Sequence, residues 1–217
     1  MEQRTNNILE FYRAITKLKT TVRTGWKVWG VSAERLESIM EHTNSCQYLA
    51  LAIKSQFPDE YKDINLEHVN MLFSVHELEE AIIPDYTPID GINKSEKRKQ
   101  GKAAVDKLLG ILGTPDNPIV TLIADLIEEW EDRKTKDARF AKQVDSLDAA
   151  IQCKIYDEQG HIDLTNPKAK ECQKKEDVLG SGFKTLSDYW IDHRGRTCDY
   201  DATFKYLVNN LLCSKKQ

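Results

Sequence analysis

Two histidines and a group of carboxylates occupy positions where a helical hydrophobic pattern calls for apolar residues. In the stripe Ile39, His42, Cys46, Leu49, Ile53, residues three or four apart share one face at about 100° per residue. His42 lies near the middle of that face. A second stripe runs Val69, Leu72, Phe73, His76, Glu80, Ile83, with Glu77 on its flank. A third runs Phe140, Val144, Leu147, Ile151, with Asp145 at its edge beside Ala141 and Asp148. Turning a charge inward costs several kcal/mol unless it is paired or bound to a cation. Imidazoles and carboxylates converging from three helices suit a divalent ion of the zinc, manganese, iron or cobalt kind.

Each residue also has a plainer reading. A single histidine on an apolar face is commonly a hydrogen-bonded core residue. Asp145 could pair with Lys142 or Arg139, and Glu77, Glu79 and Glu80 could form a solvated acidic face. On the residues alone, both readings stand. Other chemistries lack their parts. The run His76-Glu77-Leu78-Glu79-Glu80 starts like the H-E-x-x-H of zinc peptidases but ends in glutamate. An E-x-x-H pair occurs once, at Glu158 to His161, without the second copy a di-iron bundle needs. A glycine-rich phosphate loop, a G-x-S-x-G elbow and a paired-cysteine zinc site are all missing.

The elements that would carry these residues are helical. Long alternating runs of β-branched and aromatic residues are absent, and the apolar period predicts helices at about 4–22, 36–56, 64–83, 95–112, 118–133, 137–155, 168–191 and 198–213. Gly113 should close one helix, and Asn117 before Pro118 should cap the next. Pro84 and Pro88 should stiffen the loop PDYTPID, and Gly180-Ser181-Gly182 should kink or split the helix around it. The expected fold is all-α, one domain over 1–217, with a motif-bearing core at about 20–155 and a helical extension at about 156–217.

Bulk properties narrow the setting. The chain has 217 residues, 40% hydrophobic and 30% charged, with net charge −4, which gives no overall basic surface for nucleic acid or membrane. The basic stretch from Lys94 to Lys102 reads as a solvated helix start, with a rim attracting anionic substrates as the alternative. Five scattered cysteines fit reduced thiols and a cytoplasmic location. The first residues carry charges throughout and show no signal-peptide core, and no apolar run approaches the roughly 20 residues that span a bilayer.

Four segments in order resemble the HD-domain phosphohydrolases, in the branch of the 5′-deoxynucleotidases. They are RTGW (Arg23 to Trp26), ESIMEHT (Glu37 to Thr43), HELEEAIIPDYTP (His76 to Pro88) and AKQVDSLDA (Ala141 to Ala149). The resemblance implies a bundle of about seven or eight helices holding one divalent metal, Mn, Co, Zn or Fe with Mg as a further candidate. It implies His42, His76, Glu77 and Asp145 as metal ligands, with Glu80 as the catalytic glutamate and Asp85 as a second catalytic acid near the substrate, either of the two being placed to relay the proton to the leaving oxygen. Arg23 and Trp26 would bind the substrate at the pocket mouth. A small nucleotide would be the substrate, released of its phosphate, and the protein would form a homodimer.

One residue departs from the family pattern. The second ligand is normally aspartate, and here it is Glu77, whose extra methylene moves the carboxylate by about the length of a C–C bond. Two rivals follow. One is an HD enzyme acting on nucleoside triphosphates or other nucleotides; the other is a non-catalytic binding protein that keeps a degenerate site.

Overall fold

The caps written into the sequence decide where the helices begin. In this computed structural model, which describes residues 1–87, 90–165, 176, 180, 182–183 and 185–213, nine α-helices are seen among the described residues. They are α1 (Glu2–Ile15), α2 (Thr24–Val28), α3 (Ile39–Gln56), α4 (Leu66–Val75), α5 (Lys94–Leu112), α6 (Pro118–Asp132), α7 (Lys136–Glu158), α8 (Leu186–Thr197) and α9 (Ala202–Cys213). Short 3-10 turns follow α1 (Thr16–Lys19) and α4 (Leu78–Ala81). Among the described residues, extended backbone pairs only at an isolated bridge between Val22 and Ser38, so the fold is all-α.

Ser38 opens α3 with a capping box: its hydroxyl accepts from the Glu41 N–H, and the Glu41 carboxylate accepts from the Ser38 N–H. Asn65, Asn93, Asn117, Thr135 and Thr185 each accept a first-turn N–H in the same way. Each such cap is worth about 1 kcal/mol. Pro118 follows Asn117 at the first helical position, and Gly113 ends α5 at φ 152°, a backbone region that glycine enters without strain.

The long helix α7 is the axis of the core. Its Phe140, Ala141, Val144 and Leu147 pack against Ile39, Cys46 and Ala50 of α3 and against Val69, Leu72 and Phe73 of α4. From the C-terminal helices, Ile191, Phe204 and Val208 join the same cluster. The crossing of α8 and α9 is close at Gly195, where an added Cβ would lie 3.0 Å from Val208 Cγ1. A second cluster joins Trp26 and Trp29 of the α2 region to Tyr156, Leu186 and Tyr189.

The periodicity errs in four places. The helix expected over 64–83 ends at Val75, because His76 Nδ1 lies 2.8 Å from the Phe73 carbonyl and takes a bond that the next helical N–H would need. Glu77 then leaves the helix at φ −120°, ψ 20°. The helix expected to stop near 191 continues to Thr197, starting from the Thr185 cap; the earlier part of the segment from 168 and the Gly180-Ser181-Gly182 kink lie largely outside the described residues, as does Pro88. The first helix is two pieces, α1 and a 3-10 turn, and the short α2 has no counterpart in the expected set.

Candidate metal centre

Four elements bring the candidate residues together. His42 lies one turn into α3, fixed by the capping box below it and wholly buried. Asp145 lies on the face of α7 that meets α3, and His76 caps α4. The segment before α3 also pairs with the chain before α2. Ile39 N donates to Thr21 O at 2.9 Å and Arg23 N donates to Glu37 O at 3.1 Å, which carries the Arg23 side chain to His42.

His42, His76, Glu77 and Asp145 each offer a ligand atom, all within 4.8 Å of one another. His42 Nε2 is 2.9 Å from Asp145 Oδ1. His76 Nε2 is 3.4 Å from Glu77 Oε1 and 3.9 Å from Asp145 Oδ1. Because His76 Nδ1–H donates to the Phe73 carbonyl, the ring turns the lone pair of Nε2 into the cluster, and that buried atom makes no hydrogen bond. A cation between that buried imidazole lone pair and the two carboxylates would satisfy all three groups. The donor set, two imidazoles and two carboxylates, fits a divalent transition metal. The longer Glu77 side chain reaches the cluster because it starts from a residue that has left the helix.

A second layer holds these groups. His42 Nδ1 is 2.7 Å from Asp148 Oδ2 and 3.0 Å from Arg23 Nη1. One nitrogen cannot serve both, since the guanidinium has no acceptor. The N–H therefore goes to Asp148, which leaves Nε2 to face the cluster. Arg23 pairs instead with Glu37, at 3.5 Å, and Glu37 also accepts from Trp26 Nε1 at 2.9 Å. Lys142 Nζ reaches Asp145 Oδ2 at 2.8 Å, so the plainer reading of Asp145 as an ion-pair partner holds alongside the cluster.

The electrostatics follow from burial and neighbours. Burial opposes charge on Asp145, but Lys142 and then His42 outweigh it and hold the carboxyl well below its usual range. Burial and Arg23 oppose charge on His42, yet Cys46 and the hydrogen bonds to Asp145 and Asp148 raise it well above the usual imidazole range. Burial pulls His76 down. Glu80 is buried in the 3-10 turn after Glu77, and its Oε2 makes no hydrogen bond. Burial first, then Glu77 and Asp85, push its carboxyl well above the usual range.

The remaining candidates sit at the rim or in its support. Asp85 Oδ2 accepts from Thr24 N at 2.8 Å, tying the loop after the 3-10 turn to the start of α2. Trp26 is buried edge-on against Tyr156, with Arg23 above its ring, rather than open at a mouth. Tyr86 donates to Gln100 on α5. His76 and Glu80 do not stack on one helical face, since α4 ends before them. Sequence reasoning missed the roles of Glu37 and Asp148, and it missed Trp130, whose ring lies 4.6 Å from the His76 imidazole, centroid to centroid. Asp148 alone left a signal, being three residues after Asp145 on the same face of α7.

Residues 15–187 match the HD domain family. The chain belongs to it. Among relatives of this HD domain, the 5′-deoxynucleotidase HDDC2 of Dictyostelium discoideum is 33% identical over 158 residues, 72% of this chain and 80% of the relative. The protein of the same description from Xenopus laevis is 33% identical over 152 residues, 70% of each chain. Solved structures agree on the fold. PH0347 from Pyrococcus horikoshii matches with a TM-score of 0.60 at 19% identity, covering 95% of this chain and 99% of that one. A Magnetospirillum magnetotacticum protein described as a predicted metal-dependent phosphohydrolase matches with a TM-score of 0.56 at 22% identity, covering 89% and 96%.

Proposed function

We propose that this HD domain is a metal-dependent 5′-deoxynucleotidase that releases phosphate from deoxynucleoside monophosphates. The observation that carries the chemistry is the buried, unbonded His76 Nε2 facing Glu77 and Asp145 beside His42. The substrate class comes from the relatives that are 33% identical over 152 to 158 aligned residues. His42, His76, Glu77 and Asp145 would hold the ion, with Mn, Co, Zn or Fe suited to two imidazoles and two carboxylates. When bound by these four residues, a divalent ion would supply a water acidic enough to ionise near neutral pH and a positive charge for a phosphoryl oxygen.

The protein's own groups divide the remaining work. Arg23, held ionised against burial by Glu37 and then Asp145 and Glu77, presents a planar fork suited to phosphate oxygens. Glu80, its carboxyl pushed up by burial and then by Glu77 and Asp85, is the group suited to act as the general acid. The water oxygen replaces the nucleoside 5′-oxygen on phosphorus. The 5′-oxygen leaves with the electron pair of the broken P–O bond and takes the Glu80 proton, which the attacking water restores. Asp85, committed to Thr24 N, shapes the loop beside the substrate instead of moving a proton.

The chain acts in this reading as a single domain, with α8 and α9 packed into the core that supports the site. No described helix is long and apolar enough to cross a membrane. The cysteines Cys46 and Cys198 carry reduced thiols, which supports a cytoplasmic enzyme. The test is phosphate release by metal-stripped protein given Mn²⁺, Co²⁺, Zn²⁺ or Mg²⁺ and a panel of nucleotides. Inorganic phosphate from deoxynucleoside monophosphates, dependent on added metal, is the expected result. Tripolyphosphate from triphosphates, or no release with any metal, would overturn it.

A further inference from the structure

Lys142 stands three residues before Asp145 on α7, so the two side chains rise from one face. The two oxygens of Asp145 are divided between neighbours. Oδ1 faces His42 Nε2 at 2.9 Å and His76 Nε2 at 3.9 Å, while Oδ2 receives the Lys142 ammonium at 2.8 Å. A carboxylate with both oxygens free can rotate, or bind an ion through both; one held by a charged donor on its outer oxygen offers the inner oxygen alone.

The same ammonium sits 4.9 Å from the centroid of the Trp130 ring. That ring lies 4.6 Å, centroid to centroid, from the His76 imidazole. Trp130 is 4% exposed and packs in the main core, so it is a rigid floor under both residues. Lysine is therefore braced on an aromatic face that also sets the tilt of a candidate ligand ring. Its side chain is 32% exposed, at the edge of the site.

We propose that Lys142 is a positioning residue that fixes Asp145 as a one-oxygen ligand and, with Trp130, orients His76 for the ion. This rests on reading the four-residue cluster as a metal centre. Groups that orient metal ligands typically contribute 10- to 100-fold in affinity or activity.

The experiment titrates Co²⁺ into metal-stripped wild type, K142M and K142R, reading affinity by calorimetry and ligand geometry by the visible absorption of the bound ion. Far-UV circular dichroism checks the fold, and K142Q replaces K142M should that variant not fold. K142M is expected to bind Co²⁺ about 10- to 100-fold more weakly with altered absorption bands. At saturating Co²⁺ its KM for a deoxynucleoside monophosphate stays unchanged while kcat falls, and K142R recovers most of the affinity. Unchanged Co²⁺ affinity and bands in K142M would overturn the proposal. So would a raised KM at unchanged affinity, which would make Lys142 a phosphate contact. Wild type that binds Co²⁺ but hydrolyses no nucleotide would remove the nucleotidase reading alone, since the Co²⁺ arm still decides Lys142.

Discussion

His42 is clamped between two carboxylates of α7: its Nδ1 lies 2.7 Å from Asp148 Oδ2 and its Nε2 lies 2.9 Å from Asp145 Oδ1. The two acids are less than a turn apart, so one rigid helix sets both the ring's orientation and which nitrogen faces the cluster. Asp148→Ala removes the outer partner and leaves a buried N–H unpaired. Metal affinity should fall about 10- to 100-fold, with the four proposed ligands intact. Calorimetric titration of Zn²⁺ or Mn²⁺ into the metal-stripped variant checks it; affinity equal to wild type would remove Asp148 from the centre.

Metal binding should release a proton. Although burial and Arg23 oppose its charge, His42 holds a proton well above the usual imidazole range, because Cys46, Asp145 and Asp148 favour it. That proton on Nε2 must leave before the nitrogen can bind an ion, so affinity should rise with pH until His42 titrates. For the metal-free fold the sign is opposite. The raised value gives stability that is complete below the unfolded pKa of about 6.5 and is lost as pH rises through the folded value. Titrations in buffers of differing ionisation enthalpy should show about one proton released per ion. Uptake, or no pH dependence, would contradict the assigned state of His42.

The α8–α9 crossing should leave little room for a side chain at Gly195. A Cβ there already lies 3.0 Å from Val208 Cγ1, and Val208 is buried in the main core. Gly195→Val should lower stability by about 1–3 kcal/mol through overpacking. Chemical denaturation of the variant against wild type measures it. Gly195→Ala should cost less, because the helix gains propensity while Val208 gives way. Equal stability of the valine variant would mean that the two helices do not meet so closely.

How much of this was legible in the sequence can be traced residue by residue. The all-α fold followed from stripes such as Ile39 to Ile53, of which Ile39, His42, Cys46 and Ile53 are buried. Periodicity put His42 and His76 on inward faces with Glu77 and Asp145 at the margins, but the choice of these four as one set came from the resemblance to the HD-domain phosphohydrolases; their ligand atoms lie within 4.8 Å of one another. Periodicity cannot see a side chain capturing its own helix's carbonyl, so the break at His76 stayed hidden. Nor can it see contacts made before a helix begins. Glu37 meets Arg23 and Trp26 only because Thr21 to Arg23 pair with Glu37 to Ile39. Gly195 fell between the helices expected at 168–191 and 198–213, and nothing in the periodic pattern placed Val208 against it.

Glu80 should separate chemistry from metal binding. It is 7% exposed, its Oε2 makes no hydrogen bond, and burial with Glu77 and Asp85 keeps its carboxyl protonated. It lies outside the four residues whose ligand atoms converge. Glu80→Gln keeps the shape and the neutral charge but removes the transferable proton. The kcat for phosphate release from deoxynucleoside monophosphates should fall roughly 100- to 10,000-fold, the range for losing a general acid. Metal content and KM should stay near wild type, because neither the ligands nor Arg23 has changed. Metal analysis beside steady-state kinetics tests both halves. A variant that loses its metal would make Glu80 a ligand, and one that keeps its kcat would leave Asp85 as the proton donor.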